Sequence, residues 1–285
     1  MSLRRSPDID ETIRRRWIFR HAGAVRVTHW INVVCLTILL MSGLQIFNAH
    51  PALYFGKQSD FKNPVLEIKA SGAVNDARGT TILFGHAFNT DGWLGVSANP
   101  GGQRTERGFP SWITLPATQD LATGRRWHFF FAWAFVINGL TYLLYSLMSR
   151  HIGHDLWPRM RELRAIGRSA LEHLKLHFPK GDEARRYNVL QKLTYLGVIF
   201  ILLPALVLAG LAMSPGMDAL VPQVPALFGG RQGARTVHFI CAWLLVLFVV
   251  VHVVMVILSG LWNNIRSMIT GNYVIDETSE SHARQ

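Results

Sequence analysis

The stretch Arg235–Val256 reads RTVHFICAWLLVLFVVVHVVMV, and its reading decides the fold. After Arg235 it holds no Asp, Glu, Lys or Arg, and the apolar run continues to Trp262. At roughly 1.5 Å per residue, about twenty such residues cross a hydrocarbon core of about 30 Å. Hydrocarbon offers backbone N–H and C=O groups no partner, so a run of this length spans as a helix that satisfies them internally. Three further blocks share the character: Val27–Phe47, Trp127–Met148 and Leu193–Met213. Histidine is the only basic side chain inside any of the four, and none is acidic. Pro204 lacks an amide hydrogen and is expected to kink the third block.

Composition agrees. Of 285 residues, 49% are hydrophobic and only 16% charged, which excludes a disordered chain and an ordinary soluble domain. The formal charge of +11 sits in the segments flanking the blocks, where basic side chains meet anionic headgroups, so nucleic acid is not the expected partner. Several of the nine Trp lie at block ends, where amphipathic rings anchor. Cys35 and Cys241 lie within apolar blocks and read as small hydrophobes. The first block is too long for a cleavable signal and is expected to stay as a span.

These readings predict an all-α fold: a transmembrane up-and-down four-helix bundle with a long extracytoplasmic loop between helices 1 and 2. Residues 1–25 form a basic arm, 26–48 span 1, 49–125 the outer loop and 126–148 span 2. Residues 149–192 form an inner loop, 193–213 span 3, 214–235 an outer loop, 236–262 span 4 and 263–285 a tail. Lys and Arg number seven before the first span, ten between the second and third, and two after the fourth, which predicts both termini in the cytoplasm. The outer segments hold eight and two, but the first of these is too long for charge counting to inform. That loop, with its NPGG turn at 99–102 and the apolar TTILFGHAF, reads as an ordered cap that docks a partner, against the alternative of a loose connector. Residues 157–178 read as an amphipathic helix lying on the inner leaflet.

Four histidines fall within or at the ends of spans: His29, His128, His238 and His252. Ionisable groups in lipid are costly and point to function. His238 and His252 are fourteen residues apart, close to four helical turns, so they share a face about 21 Å apart along the axis. The predicted orientation puts His29 and His252 at the inner level and His128 and His238 at the outer level. Each pair offers two imidazoles from different helices at one height, the arrangement that ligates a haem iron from both axial sides in a bundle core. Zinc would require further ligands such as Cys or carboxylate, and the spans hold no carboxylate. Two haem b groups are therefore expected, an inner one on His29 and His252 and an outer one on His128 and His238.

Arg-x-x-His recurs at Arg26, Arg125 and Arg235, each placing a cation one turn from a histidine, where it can meet an ionised haem propionate. Arg126 is a further candidate. Gly43, fourteen residues after His29, lies on the same helix face at the outer level, where a missing side chain admits a porphyrin edge or a neighbouring helix. The remaining histidines read as loop or tail residues, with no CxxCH or HExxH motif.

With these residues in place, the chain resembles the b-type cytochrome subunits of the bacterial cytochrome b561 and nickel-iron hydrogenase superfamily. The carrying segments are VRVTHWINVVCLTILLMSGLQIF, GRRWHFF from Gly124, and the histidine-bearing fourth span. The resemblance implies a four-helix, di-haem subunit of the bacterial inner membrane, ligated by His29, His128, His238 and His252. It implies electron exchange between the quinone pool and a partner oxidoreductase. The segment MSGLQIFNAHP with its long loop is more similar to variants that accompany periplasmic molybdopterin oxidoreductases. Two other readings compete: a stand-alone quinol oxidase of a small acceptor such as superoxide, and a histidine-lined metal or proton transporter. The latter predicts an acidic or broken-helix centre, and the spans contain no acid.

Overall fold

A computed structural model of the chain describes residues 14–72, 76–99, 101–149 and 189–277. Among the described residues four helices are long and apolar enough to cross a membrane: α1 (Gly23–Phe47), α2 (Leu121–Met148), α3 (Val189–Ala212) and α4 (Arg231–Leu258). Each coincides with one of the four apolar blocks, with shifted ends. The fourth begins earlier than expected and stops at Leu258, because Gly260 takes a positive φ of 106° that a continuing helix cannot use. A separate helix, α5 (Leu261–Thr270), follows. The kink expected at Pro204 takes the form of a widened π turn at Val198–Leu202. It lies just before the proline, whose ring crowds the carbonyl of the preceding turn. The amphipathic segment expected at 157–178 lies outside the described residues.

The expectation of an all-α chain is corrected by three small antiparallel sheets among the described residues. Strand β1 (Arg14–Phe19) pairs with β8 (Asn272–Glu277). Between the first two spans, β2 (Ala52–Leu53), β3 (Leu66–Ser71), β4 (Arg78–Leu83) and β5 (His86–Asn89) form a sheet in sequence order, and β6 (Gly95–Ala98) pairs with β7 (Arg104–Arg107). The TTILFGHAF stretch is thus a hairpin, turning at Phe84 and Gly85 with φ of 48° and 80°, the paired positive values of a tight two-residue turn. The next hairpin is closed at Asn99, whose Oδ1 accepts from the Gly101 and Gln103 amides at 2.9 and 3.0 Å.

The chain forms two compact units: Thr28–Tyr145 with Leu196–Val250, and Met1–Val27 with Ser146–Tyr195 and Val251–Gln285. In the first, α1 and α2 run antiparallel. Asn138, 6% exposed, donates to the Thr28 carbonyl and the Asn32 amide oxygen at 2.9 and 2.8 Å, a polar tie between apolar helices. The outward side of α4 presents Ile240, Leu244 and Leu247, exposed apolar side chains that a bilayer covers. The cap is anchored on the helix ends by a core of Leu44, Phe47, Leu53, Ile68 and Phe109, against which Phe239 packs.

Beneath that core lies a buried cation. Arg107, 4% exposed, donates to the carbonyls of Phe109 and Ala117 at 2.7 and 2.9 Å and to the Thr114 hydroxyl at 2.9 Å. Burial pulls its guanidinium below the ordinary arginine value. Asn48 pairs with the backbone of Phe109 through both ends of its amide. The cap is thereby tied to the last turn of α1 rather than hanging from it.

In the second unit, the β1–β8 ribbon joins the segment before α1 to the segment after α4. Arg20 stacks over Tyr273 and Arg266 over Trp17, at 4.5 and 4.7 Å.

Candidate cofactor site

His128 sits two turns into α2 and His238 two turns into α4. Their ring centroids are 6.2 Å apart with planes at 69°. The Nδ1 atom of His238 donates to the Leu206 carbonyl at 2.8 Å, and that of His128 donates to the Leu39 carbonyl at 3.2 Å, with the Ser42 hydroxyl also at 3.2 Å. A proton used at Nδ1 leaves Nε2 as a bare lone pair, the state in which imidazole binds metal, and the second bond fixes the ring's direction.

Each ring also rests on a glycine. A Cβ at Gly43 would stand 3.3 Å from His128 Cε1, and one at Gly210 would stand 3.2 Å from His238 Cε1. In both cases the carbonyl that holds Nδ1 belongs to the residue four before the glycine. The two imidazoles are thus held by one repeated device on α1 and α3: a carbonyl that binds the ring and, one turn on, a glycine that makes room for it.

The arrangement fits a haem iron. Two imidazole bonds of roughly 2 Å to one ion put the ligating nitrogens about 4 Å apart and the ring centroids, which lie behind them, about 6 Å apart. Among the described residues no group of three or more His, Cys, Asp or Glu is placed to hold a metal ion. A tetrahedral zinc therefore lacks ligands, whereas a porphyrin brings four of its own and asks the protein for two.

The other expected site residues are placed as follows. Arg235, one turn from His238, donates to the His50 carbonyl and lies over the Phe47 ring at 5.4 Å. Arg125 is exposed, its guanidinium over Phe129 at 5.5 Å, and Arg126 is exposed near the Asp120 carboxylate. Arg26 donates to the Ile269 carbonyl within the second unit. His29 belongs to the first unit, edge-on to Trp30 at 5.4 Å, and His252, partly buried, to the second. His50 bonds Tyr54 at 3.1 Å, and burial together with Arg235 holds its imidazole below the usual value against the opposing pull of Glu67. His86 lies on the exposed edge strand β5. His151, His154, His173, His177 and His282 lie outside the described residues.

Gly210, Ser42 and the two carbonyl acceptors were not anticipated. Gly210 carries a legible signal, since LAGL at 208–211 in the third span echoes MSGL at 41–44 in the first. The carbonyls carry none, because every residue has one.

Residues 20–271 match the family model described as prokaryotic cytochrome b561. The chain is 30% identical over 238 residues, 84% of its length and 90% of the relative's, to a putative protein-methionine-sulfoxide reductase subunit YedZ1 of Azospira oryzae. No solved structure matches it. With four apolar helices and a paired-imidazole cradle between them, this membrane chain belongs to the prokaryotic cytochrome b561 family, whose members bind haem b.

Proposed function

We propose that the protein is a di-haem b electron-transfer subunit that exchanges electrons between the quinone pool and a partner oxidoreductase outside the cytoplasm. The observation that carries this reading is the His128–His238 pair, 6.2 Å apart, with each Nδ1 committed to a carbonyl. His128 and His238 would hold a haem b through their Nε2 atoms, and the haem would supply reversible one-electron transfer there. What the chain supplies is fixed ligand direction, room at Gly43 and Gly210, and a largely apolar surround. Preset ligands keep the geometry the same in both charge states, which favours transfer over ligand exchange.

His29 and His252 are the proposed ligands of an inner haem. Fourteen residues of α4 separate His252 from His238, about 21 Å of axial rise, so the two centres lie near opposite faces of the bilayer. Arg26, Arg125, Arg126 and Arg235 are the proposed propionate partners. The basic flanks support a cytoplasmic placement of both termini and hence an extracytoplasmic cap, where the partner docks. The relative's name supports a partner that acts on protein methionine sulfoxide, and the sequence resemblance supports a molybdopterin-dependent one.

The test is a reduced-minus-oxidised optical spectrum with pyridine haemochrome stoichiometry on the purified full chain, expected to give two haem b per chain. His238→Ala and His128→Ala each remove the same one, and His252→Ala and His29→Ala the other. Loss of both haems from any single substitution, or a colourless wild type, overturns the assignment.

A further inference from the structure

A cavity of about 310 Å³ opens beside the amino-terminal end of α4, lined by Lys57, Met213, Arg231, Gln232 and Arg235. Three of its five lining residues are cations. The ion pairs among the described residues are Lys69–Glu67, Arg78–Asp76 and Arg104–Asp91, so none of these three cations is ion-paired with a described carboxylate. Two of the cations are steered by backbone acceptors instead: Arg231 donates to the Met213 carbonyl at 3.1 Å, and Arg235 to the His50 carbonyl. Gln232 donates to the Ser59 hydroxyl at 3.1 Å, while its own buried Oε1 has no protein partner among the described residues.

The third cation is brought by the cap. A Cβ on Gly230 would stand 2.7 Å from Lys57 Cα, and the Gly233 amide donates to the Gly56 carbonyl at 3.1 Å. Only glycine lets the 56–57 backbone close on the helix start this tightly. Lys57 is therefore held at the cavity by packed backbone and does not depend on a wandering side chain.

The cavity has a defined relation to the imidazole cradle. Arg235 lies three residues before His238 on α4, and Met213, just past the end of antiparallel α3, lies three residues after Gly210. Both steps lead toward the cap end, by about 4.5 Å of rise. The cavity is thus the next layer outward from the ring of His238, on both helices that hold it.

We propose that this cavity is the carboxylate clamp of the haem held by His128 and His238, with Lys57 and Arg231 joining Arg235 on its propionates, so that the loop between the first two spans completes the cofactor site. The proposal rests on the di-haem reading. Carboxylates are the anions a bound haem presents at its edge, and two of them set against three cations leave a site near neutrality. Cations at this position disfavour the oxidised, more positive iron and keep the propionates ionised.

Optical redox titration of the full chain in detergent, from pH 5 to 9, tests this on the His252→Ala background, which carries the outer haem alone. Lys57→Ala and Arg231→Ala should each lower its midpoint potential and move the pH-dependent part of the curve to higher pH. Lys57→Glu should lower it further, Lys57→Arg should restore it, and Lys62→Ala, a cap lysine that does not line the cavity, should leave it in place. Unchanged potentials in Lys57→Ala and Arg231→Ala overturn the proposal. Unchanged potentials accompanied by loss of co-purified anionic phospholipid also overturn it and assign the cavity to a lipid headgroup. Absence of any haem in the His252→Ala chain would instead refute the di-haem reading itself, which separates the two failures.

Discussion

Replacing Gly43 or Gly210 by valine should expel one haem and spare the other. Carbon atoms pack at roughly 3.5–4.0 Å, and a Cβ at Gly43 would sit 3.3 Å from His128 Cε1 and one at Gly210 3.2 Å from His238 Cε1. Alanine alone therefore asks each ring to yield by about 0.2–0.8 Å. Site geometry tolerates about 0.5 Å, so alanine stands at the margin. Valine adds two methyl groups beyond the Cβ and exceeds it. Neither ring can retreat freely, because its Nδ1 is tied to a carbonyl on the same helix as the glycine. Disturbing such supporting contacts typically costs 10–100-fold in metal affinity, about 1.4–2.8 kcal/mol. The assay is haem stoichiometry by pyridine haemochrome after purification in limiting haem. Gly43→Val and Gly210→Val should each fall from two haems toward one, both losing the component that His238→Ala loses. Gly139→Val, where a Cβ would meet nothing within 4 Å, should keep two. Retention of both haems in the Gly43 and Gly210 variants would refute the cradle.

Two predictions concern the cap. Arg107→Leu strips the donor from the Phe109 and Ala117 carbonyls and the Thr114 hydroxyl. It should destabilise the cap by about 3 kcal/mol, read as faster proteolysis of the 49–120 region while the haem spectrum persists. Asp91 accepts from the Gly79 amide and from Arg104, which together hold its carboxyl below the ordinary value. Its contribution is therefore present above the unfolded pKa of about 4 and lost as pH falls through the lower folded value. Protease sensitivity of the cap should rise on acidification below pH 4, and Asp91→Asn should show at pH 7 much of the sensitivity that the wild type gains in acid. A pH-independent digestion rate in both chains would remove Asp91 from this role.

The division between what the sequence fixes and what folding adds follows the range of the forces involved. Four apolar runs, each long enough to span and free of charge apart from histidine, determine four helices because hydrocarbon leaves the backbone no other way to satisfy its hydrogen bonds. Helical periodicity then sets the axial distance between His238 and His252, since rise per residue is a property of one helix alone. The sheets were not legible. β1, RRRWIF, reads as a basic flank until β8 supplies its partner more than 250 residues later, and β3 to β5 carry too little alternation to outweigh a loop reading. The span ends moved for a related reason: whether Gly260 stops α4 depends on the backbone that follows it.

Depth alone also does not say which atoms hold a ring. The carbonyls of Leu39 and Leu206 are chemically identical to every other carbonyl in the chain, and only the approach of α2 to α1 and of α4 to α3 selects them. The same holds for Lys57, one of several lysines in a long loop until Gly230 and Gly233 let that loop close on the start of α4. Local pattern therefore set the number of long apolar helices and the spacing of histidines along them, because those follow from hydrophobicity and periodicity. Tertiary packing decided ring orientation, the room beside each ring and the closure of the cap on the start of α4, because each depends on contacts between segments far apart in the chain.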